Sequence, residues 1–161
     1  KKYSLFDGLL EDEVKKFISL MKFEEVKNKD IIMKEGDPGD TIVFLLSGEV
    51  SVTKALTLKN KKASSDNREK VIIRFDESSY PFFGEISLFS DIDKRTATIS
   101  ATSSCEIAIL NDDDMMNLCN NDHSLGYKIM KNLAEKISSD LQKTNNQVLK
   151  LTTLFSFILD T

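Results

Sequence analysis

The chain has 161 residues, of which 40% are apolar and 30% charged, and its net charge is −4. That is one domain's worth of sequence, large enough to bury a core without metal or disulfide support. A net negative balance excludes general coating of nucleic acid, and the cysteine pair Cys105 and Cys119 excludes a disulfide framework or a four-thiolate metal site.

In chain order, Leu5, Phe6, Leu9, Leu10, Val14, Phe17, Leu20 and Met21 recur at three and four residues, which predicts one opening helix with Asp7 as its cap. From Phe23 the period changes to two. Strands are expected at Phe23–Val26, Ile31–Lys34, Thr41–Leu46, Val50–Thr53, Val71–Phe75, Thr96–Ala101 and Cys105–Leu110. Turn signals separate them: Asn28-Lys29-Asp30, the run EGDPGD at 35–40, and Ser47-Gly48. Short strands with regular turns predict a mainly β, antiparallel roll or jelly roll with flanking helices. The polar, Lys-rich segment Lys54–Glu69 breaks the pattern and reads as a long, solvated hairpin connection.

After Leu110 the helical period returns at Met115, Met116, Leu118 and Cys119, and a much longer helix follows from about Ser124. In it Ile137, Leu141, Thr144, Val148, Leu151, Phe155 and Ile158 form a 4-3 seam over three heptads, the pattern of a parallel coiled coil. A homodimer joined along Ile137–Ile158 is expected. Two units follow from this reading: a roll with its opening helix over 1–123, and a dimerisation helix that also lids a base over 124–161. Both cysteines are expected as buried thiols, and His123 as an exposed or capping residue.

The chemistry concentrates in FGEISLFSDIDKRTAT at 83–98. Gly84 permits unusual backbone and a close approach by a ligand, and the piece Ile86–Phe89 can make one helical turn with free N–H groups. Glu85 is an acceptor beside that turn. Arg95 supplies a fork that binds two phosphate oxygens at once, ten residues later at the start of a strand. The set suits a ligand with an anionic phosphate and a hydroxyl. A plain Glu85–Arg95 ion pair is the competing structural reading. No nucleophile elbow, phosphate-binding P-loop or Cys–His pair is present, and one histidine cannot build a cupin-type metal centre. Neither catalytic nor metal-ligating residues are therefore expected, and no cofactor.

The same stretch resembles the phosphate-binding cassette of the cyclic-nucleotide-binding family, with spacing like that of bacterial catabolite-activator regulators. The resemblance covers nearly the whole chain: the opening Leu-Phe helix, the turn glycines Gly36, Gly39 and Gly48, the cassette and the long last helix. It implies a sensor for cAMP or cGMP and not an enzyme. Glu85 would accept the ribose 2′-hydroxyl, the backbone of Gly84, Ile86 and Ser87 would line sugar and phosphate, and Arg95 with Thr96 would hold the phosphate. The run LQKTNNQV at 141–148 resembles the adenine-facing part of the activator's helix and places Thr144 and Asn145 at the base. Thr144 stands equally as a polar residue that sets the seam's register. Thr96 argues for cGMP, the helix run for cAMP, and the expectation is cAMP. Two departures stand out: Tyr80-Pro81 replaces a turn glycine, and Asp140 sits where the activator has an arginine. An interaction module that keeps the fold and leaves the pocket unused is the second class of function. No DNA binding by this chain alone is expected, since no reading helix follows the seam. No apolar stretch reaches about 18 residues and no signal peptide opens the chain, so no membrane contact and a cytoplasmic location are expected. The missing initiator Met reads as the mark of a trimmed piece.

Overall fold

The computed structural model describes residues 3–55, 69–89 and 94–159. Eight strands form two four-stranded antiparallel sheets, β1-β8-β3-β6 and β2-β7-β4-β5. The strands are β1 (Lys22–Val26), β2 (Ile31–Met33), β3 (Thr41–Ser47), β4 (Glu49–Ala55), β5 (Glu69–Asp76), β6 (Phe82–Phe83), β7 (Thr98–Ala101) and β8 (Cys105–Asn111). Three helices flank them: α1 (Glu11–Ile18), α2 (Asp112–Asn121) and α3 (His123–Leu159). The β-roll expected from the period-two runs is therefore present. Of the expected connection Lys54–Glu69, residues 56–68 lie outside the described residues.

The middle of the first sheet, at β3 and β8, is covered on both faces, which explains the unbroken apolar run of β3. Ile42 and Phe44 turn outward to Leu5, Phe6, Phe17, Leu125, Ile129 and Leu133 of the helical layer. Val43 and Leu45 turn inward to Met33, Val50, Ile99 and Ile107 between the sheets. Phe82 and Phe83 repeat the split at the sheet edge, one side chain in each core. This two-residue strand was not expected, because two residues carry no periodicity.

The single opening helix is corrected. A 3-10 turn at Ser4–Phe6 is followed by Gly8 at φ +74° and then by α1. Gly8 breaks the segment into two pieces, and Asp7 does not start a helix but ends the 3-10 turn, its N–H donating to Ser4 O at 3.2 Å. Leu10 precedes α1, and its N–H donates to Glu13 Oε2 at 2.6 Å. The N-terminal turn is instead pinned by α3: Asn132 Nδ2 donates to the carbonyls of Leu5 and Asp7, both at 2.9 Å. At the other junction Asp122 ends α2 and caps α3, accepting from Leu125 N–H at 3.1 Å. His123, one residue earlier than expected for the helix start, is exposed. Cys105 and Cys119 are buried and free, as read from their positions.

Past Asp140, α3 leaves the body. Every described residue from 141 to 159 is exposed, including Leu141, Val148, Leu151, Phe155 and Ile158 of the seam.

Candidate functional site

A cavity of about 600 Å³ lies at the edge where β6 meets the cassette and α3. Its walls include Val52, Phe75, Phe83 and Ile99 from the roll, the cassette residues Gly84–Ser87 and Arg95–Ala97, and Asn132, Lys136, Ser139 and Asp140 from α3. Volume and mixed lining are those of a small-molecule site.

Arg95 is the most constrained group there. It is only 8% exposed, and burial lowers its pKa from the ordinary guanidinium value while the nearby carboxylates of Asp112 and Asp40 work the other way. Nη1 donates to Thr41 O at 2.8 Å and to Ser87 Oγ at 3.2 Å, and Nη2 donates to Thr41 Oγ1 at 2.7 Å. Two glycines make room for it. A Cβ on Gly39 would lie 2.7 Å from Nε, and one on Gly84, at φ +99°, would lie 2.7 Å from Nη1 and 2.3 Å from Thr41 O. Arg95 precedes β7 rather than opening it: Thr96 and Ala97 form a bend, and the strand starts at Thr98.

Glu85 and Arg95 do not pair with each other, so the plain ion pair is not what these residues make. Glu85 Oε1 takes the Lys136 ammonium at 2.6 Å, with side-chain exposures of 9% and 19%. Lys136 also holds Asp140 at 2.8 Å and sits 5.0 Å from the centroid of the Phe82 ring. Burial works against the charged ammonium, yet Glu85 and Asp140 together hold the Lys136 pKa above its ordinary value. Burial likewise works against the Asp140 carboxylate, which Lys136 and Lys143 keep below its ordinary value. Removing one partner of a buried pair leaves an uncompensated charge and costs about 3–5 kcal/mol.

Reading the sequence missed Lys136. Its signal was there in Lys136-x-x-x-Asp140, an i,i+4 pair on the side of α3 toward the cassette, but such pairs also occur on solvated helix faces. The expected turn at Ile86–Phe89 is a 3-10 turn at Ser87–Phe89. Ser87 N–H and Oγ both bond Gly84 O, at 3.3 and 2.6 Å, and Ile86 is half exposed at the mouth. Tyr80, standing for the family's turn glycine, has φ 47° and ψ 53°, a left-handed shape that costs a residue with a Cβ about 1–2 kcal/mol. Its ring lines the cavity and meets Tyr3 edge-on, with centroids 5.6 Å apart. Thr144 and Asn145 are not in the cavity wall of their own chain. They lie about a turn past Asp140 on the exposed stretch, where Thr144 Oγ1 donates to Asp140 O at 2.9 Å.

Among the described residues no group of acidic, His and Cys side chains could hold a metal ion. No helix there is long and apolar enough to cross a membrane.

The family model for the cyclic nucleotide-binding domain matches residues 23–122. The cAMP-activated global transcriptional regulator CRP of Pasteurella multocida is 27% identical over 135 residues, covering 84% of this chain and 58% of that protein. Human cGMP-dependent protein kinase 2 is 33% identical over 98 residues, covering 61% of this chain and 12% of the kinase. This chain therefore spans little more than half of the first and a small part of the second. In fold it is similar to the catabolite activator protein of Thermus thermophilus, with a TM-score of 0.75, 22% identity, and coverage of 92% of this chain and 63% of that one.

Proposed function

Because this chain belongs to the cyclic nucleotide-binding domain family, we propose that it is a sensor domain that takes a 3′,5′-cyclic mononucleotide into the cavity beside β6. The observation that carries the reading is Arg95: a nearly buried guanidinium, walled by Gly39 and Gly84, in a cavity that also holds a carboxylate 10 residues away in sequence. A merely structural arginine needs no cavity. In the occupied site the fork of Arg95 meets the cyclic phosphate with Thr96 beside it. The Gly84–Ser87 backbone lines the sugar, and Glu85 accepts the ribose hydroxyl. The role is binding, not turnover.

The ligand proposed is cAMP, with cGMP as the competitor. The cAMP-activated regulator aligns over more of the chain, whereas the cGMP-dependent kinase aligns at higher identity over less of it. Residues 1–123 form the binding unit and 124–161 the lid and dimerisation helix. Thr144 lies near its own base while Asn145 reaches the partner's, through a homodimer along the exposed Ile137–Ile158 seam. Binding then biases how the two helices lie against each other, provided the contacts differ between two dimer states.

A thermal-shift screen with cAMP, cGMP and 5′-AMP tests this. A ligand at 100 times its Kd stabilises by about 2.7 kcal/mol, a shift of roughly 5–11 °C for a domain of this size. Arg95→Ala should cost the bound nucleotide about 30-fold or more in affinity. No shift with either cyclic nucleotide favours the interaction-module reading.

A further inference from the structure

Glu85 already has a cation in the cavity wall: Lys136 Nζ lies 2.6 Å from its Oε1 and is shared with Asp140 at 2.8 Å. A ligand that offers a hydroxyl to Glu85 therefore meets a carboxylate that is already paired.

A ligand hydroxyl can reach Glu85 in one of two ways. It can displace Lys136, or it can take the other oxygen while Lys136 stays. Displacement would strand a carboxylate whose side chain is 9% exposed, and a neutral hydroxyl cannot compensate it. It would also pull the ammonium off Asp140 and the Phe82 ring, which hold it from two further sides. Retention needs no such loss: among the described residues Lys136 is the hydrogen-bond donor to Glu85, and it uses Oε1 alone. We propose that Lys136 is the resident counter-ion of Glu85, staying on one carboxylate oxygen when nucleotide binds and leaving the other to the ligand hydroxyl. It is a positioning residue, acting through Glu85, and it sets how strongly the site demands a ribose rather than a deoxyribose. This inference rests on the nucleotide-binding reading above. It also gives α3 a fixed charge inside the site, one turn before the helix leaves the body.

The test is calorimetry on the full chain with cAMP and 2′-deoxy-cAMP, and with the cGMP pair, for wild type, Lys136→Gln, Lys136→Arg, Glu85→Gln and the Glu85→Gln/Lys136→Gln double variant. Wild type is expected to prefer the ribonucleotide about 10- to 100-fold, the worth of one hydrogen bond to a charged acceptor. Lys136→Gln should bring that ratio to within about threefold, and Lys136→Arg should restore most of it. In the Glu85→Gln background, removing Lys136 should leave the ratio unchanged. An unchanged ratio in Lys136→Gln overturns the proposal, because a simple pin between helix and roll would weaken both ligands alike. Tighter ribonucleotide binding in Lys136→Gln also overturns it, since the lysine would then be a competitor that ligand displaces. If Lys136→Gln does not fold, Glu85→Gln against the double variant reads the same coupling, and a further change of ratio there counts against it. Wild type that binds none of the four nucleotides refutes the functional reading itself, a result seen before any variant is made.

Discussion

Replacing Gly39 by Ala is a clean perturbation of the arginine proposed to hold the phosphate, because Gly39 is not among the cavity-lining residues and the nearest neighbours of the new methyl are atoms of Arg95. Gly39 does not have a positive φ, so alanine fits its backbone, but the added Cβ would lie 2.7 Å from Arg95 Nε and 2.8 Å from Cδ and Cζ. Ordinary contact between such atoms begins near 3.4 Å, so the end of the side chain must retreat by about 0.6 Å. It is held by bonds of 2.8 Å to Thr41 O and 2.7 Å to Thr41 Oγ1, and a retreat of that size takes both to the edge of hydrogen bonding. Hydrogen bonds to charged groups contribute about 1.5–3 kcal/mol each, and part of that survives at longer range. The expected loss is about 2 kcal/mol of stability, a fall of roughly 4–8 °C in Tm. A fork turned off its axis should also bind nucleotide about 10- to 100-fold more weakly. Differential scanning calorimetry and titration calorimetry read the two effects. An affinity within twofold of wild type would refute the reasoning, because it would mean that the position of the guanidinium does not matter to the ligand.

Two further expectations concern other parts of the molecule. Leu141→Asp or Leu151→Asp should convert a sedimenting dimer to monomer, through a charge placed in an apolar seam, and a monomeric wild type at micromolar concentration would count against the seam. Burial raises the Asp112 pKa from 3.8 to about 6, against the pull of Arg95 and with the help of Asp40 and Asp113. The folded state therefore holds this proton where the unfolded chain has lost it, so this group's contribution to stability falls as pH rises from about 4 to about 6. Asp112→Asn should remove that slope from the difference between the two stability–pH profiles, and parallel profiles would show that Asp112 titrates normally.

The roll was legible because its strands are short, β-branched and apolar-rich runs, and the turns between them carry glycine, proline or Asn-Asp signals. β3 stood out for a different reason: both faces are buried, so the five apolar residues Ile42–Leu46 follow one another without alternation. What escaped was whatever depends on a distant partner. The break after Phe6 needs Gly8 at a positive φ, and the apolar spacing runs across it undisturbed. β6 exists only because Val43 and Phe44 offer a ladder to Phe83 and Phe82. Gly84, Glu85 and Arg95 were legible as a set because their residue types are costly to keep without a ligand or partner. That Glu85 would find its cation 51 residues away was not. A lysine four residues before an aspartate on a helix reads as solvated until the helix is laid against the cassette.

The two bonds from Asn132 to Leu5 and Asp7 have a consequence for the order in which the molecule assembles. They span 127 and 125 residues, so the turn at Ser4–Phe6 has its partner across nearly the whole roll, and this contact is expected to form late in folding. Leu5, Phe6 and Leu9, all at most 5% exposed in the finished structure, have no complete hiding place until α3 docks. Closing so long a loop is an entropic cost met late, when few degrees of freedom remain to be lost. The turn at Ser4–Phe6 and the docked part of α3 around Asn132 therefore belong to one cooperative unit. Amide protons at Leu5–Leu9 should exchange at the pace of α3 near Leu133, not at the pace of a free terminus.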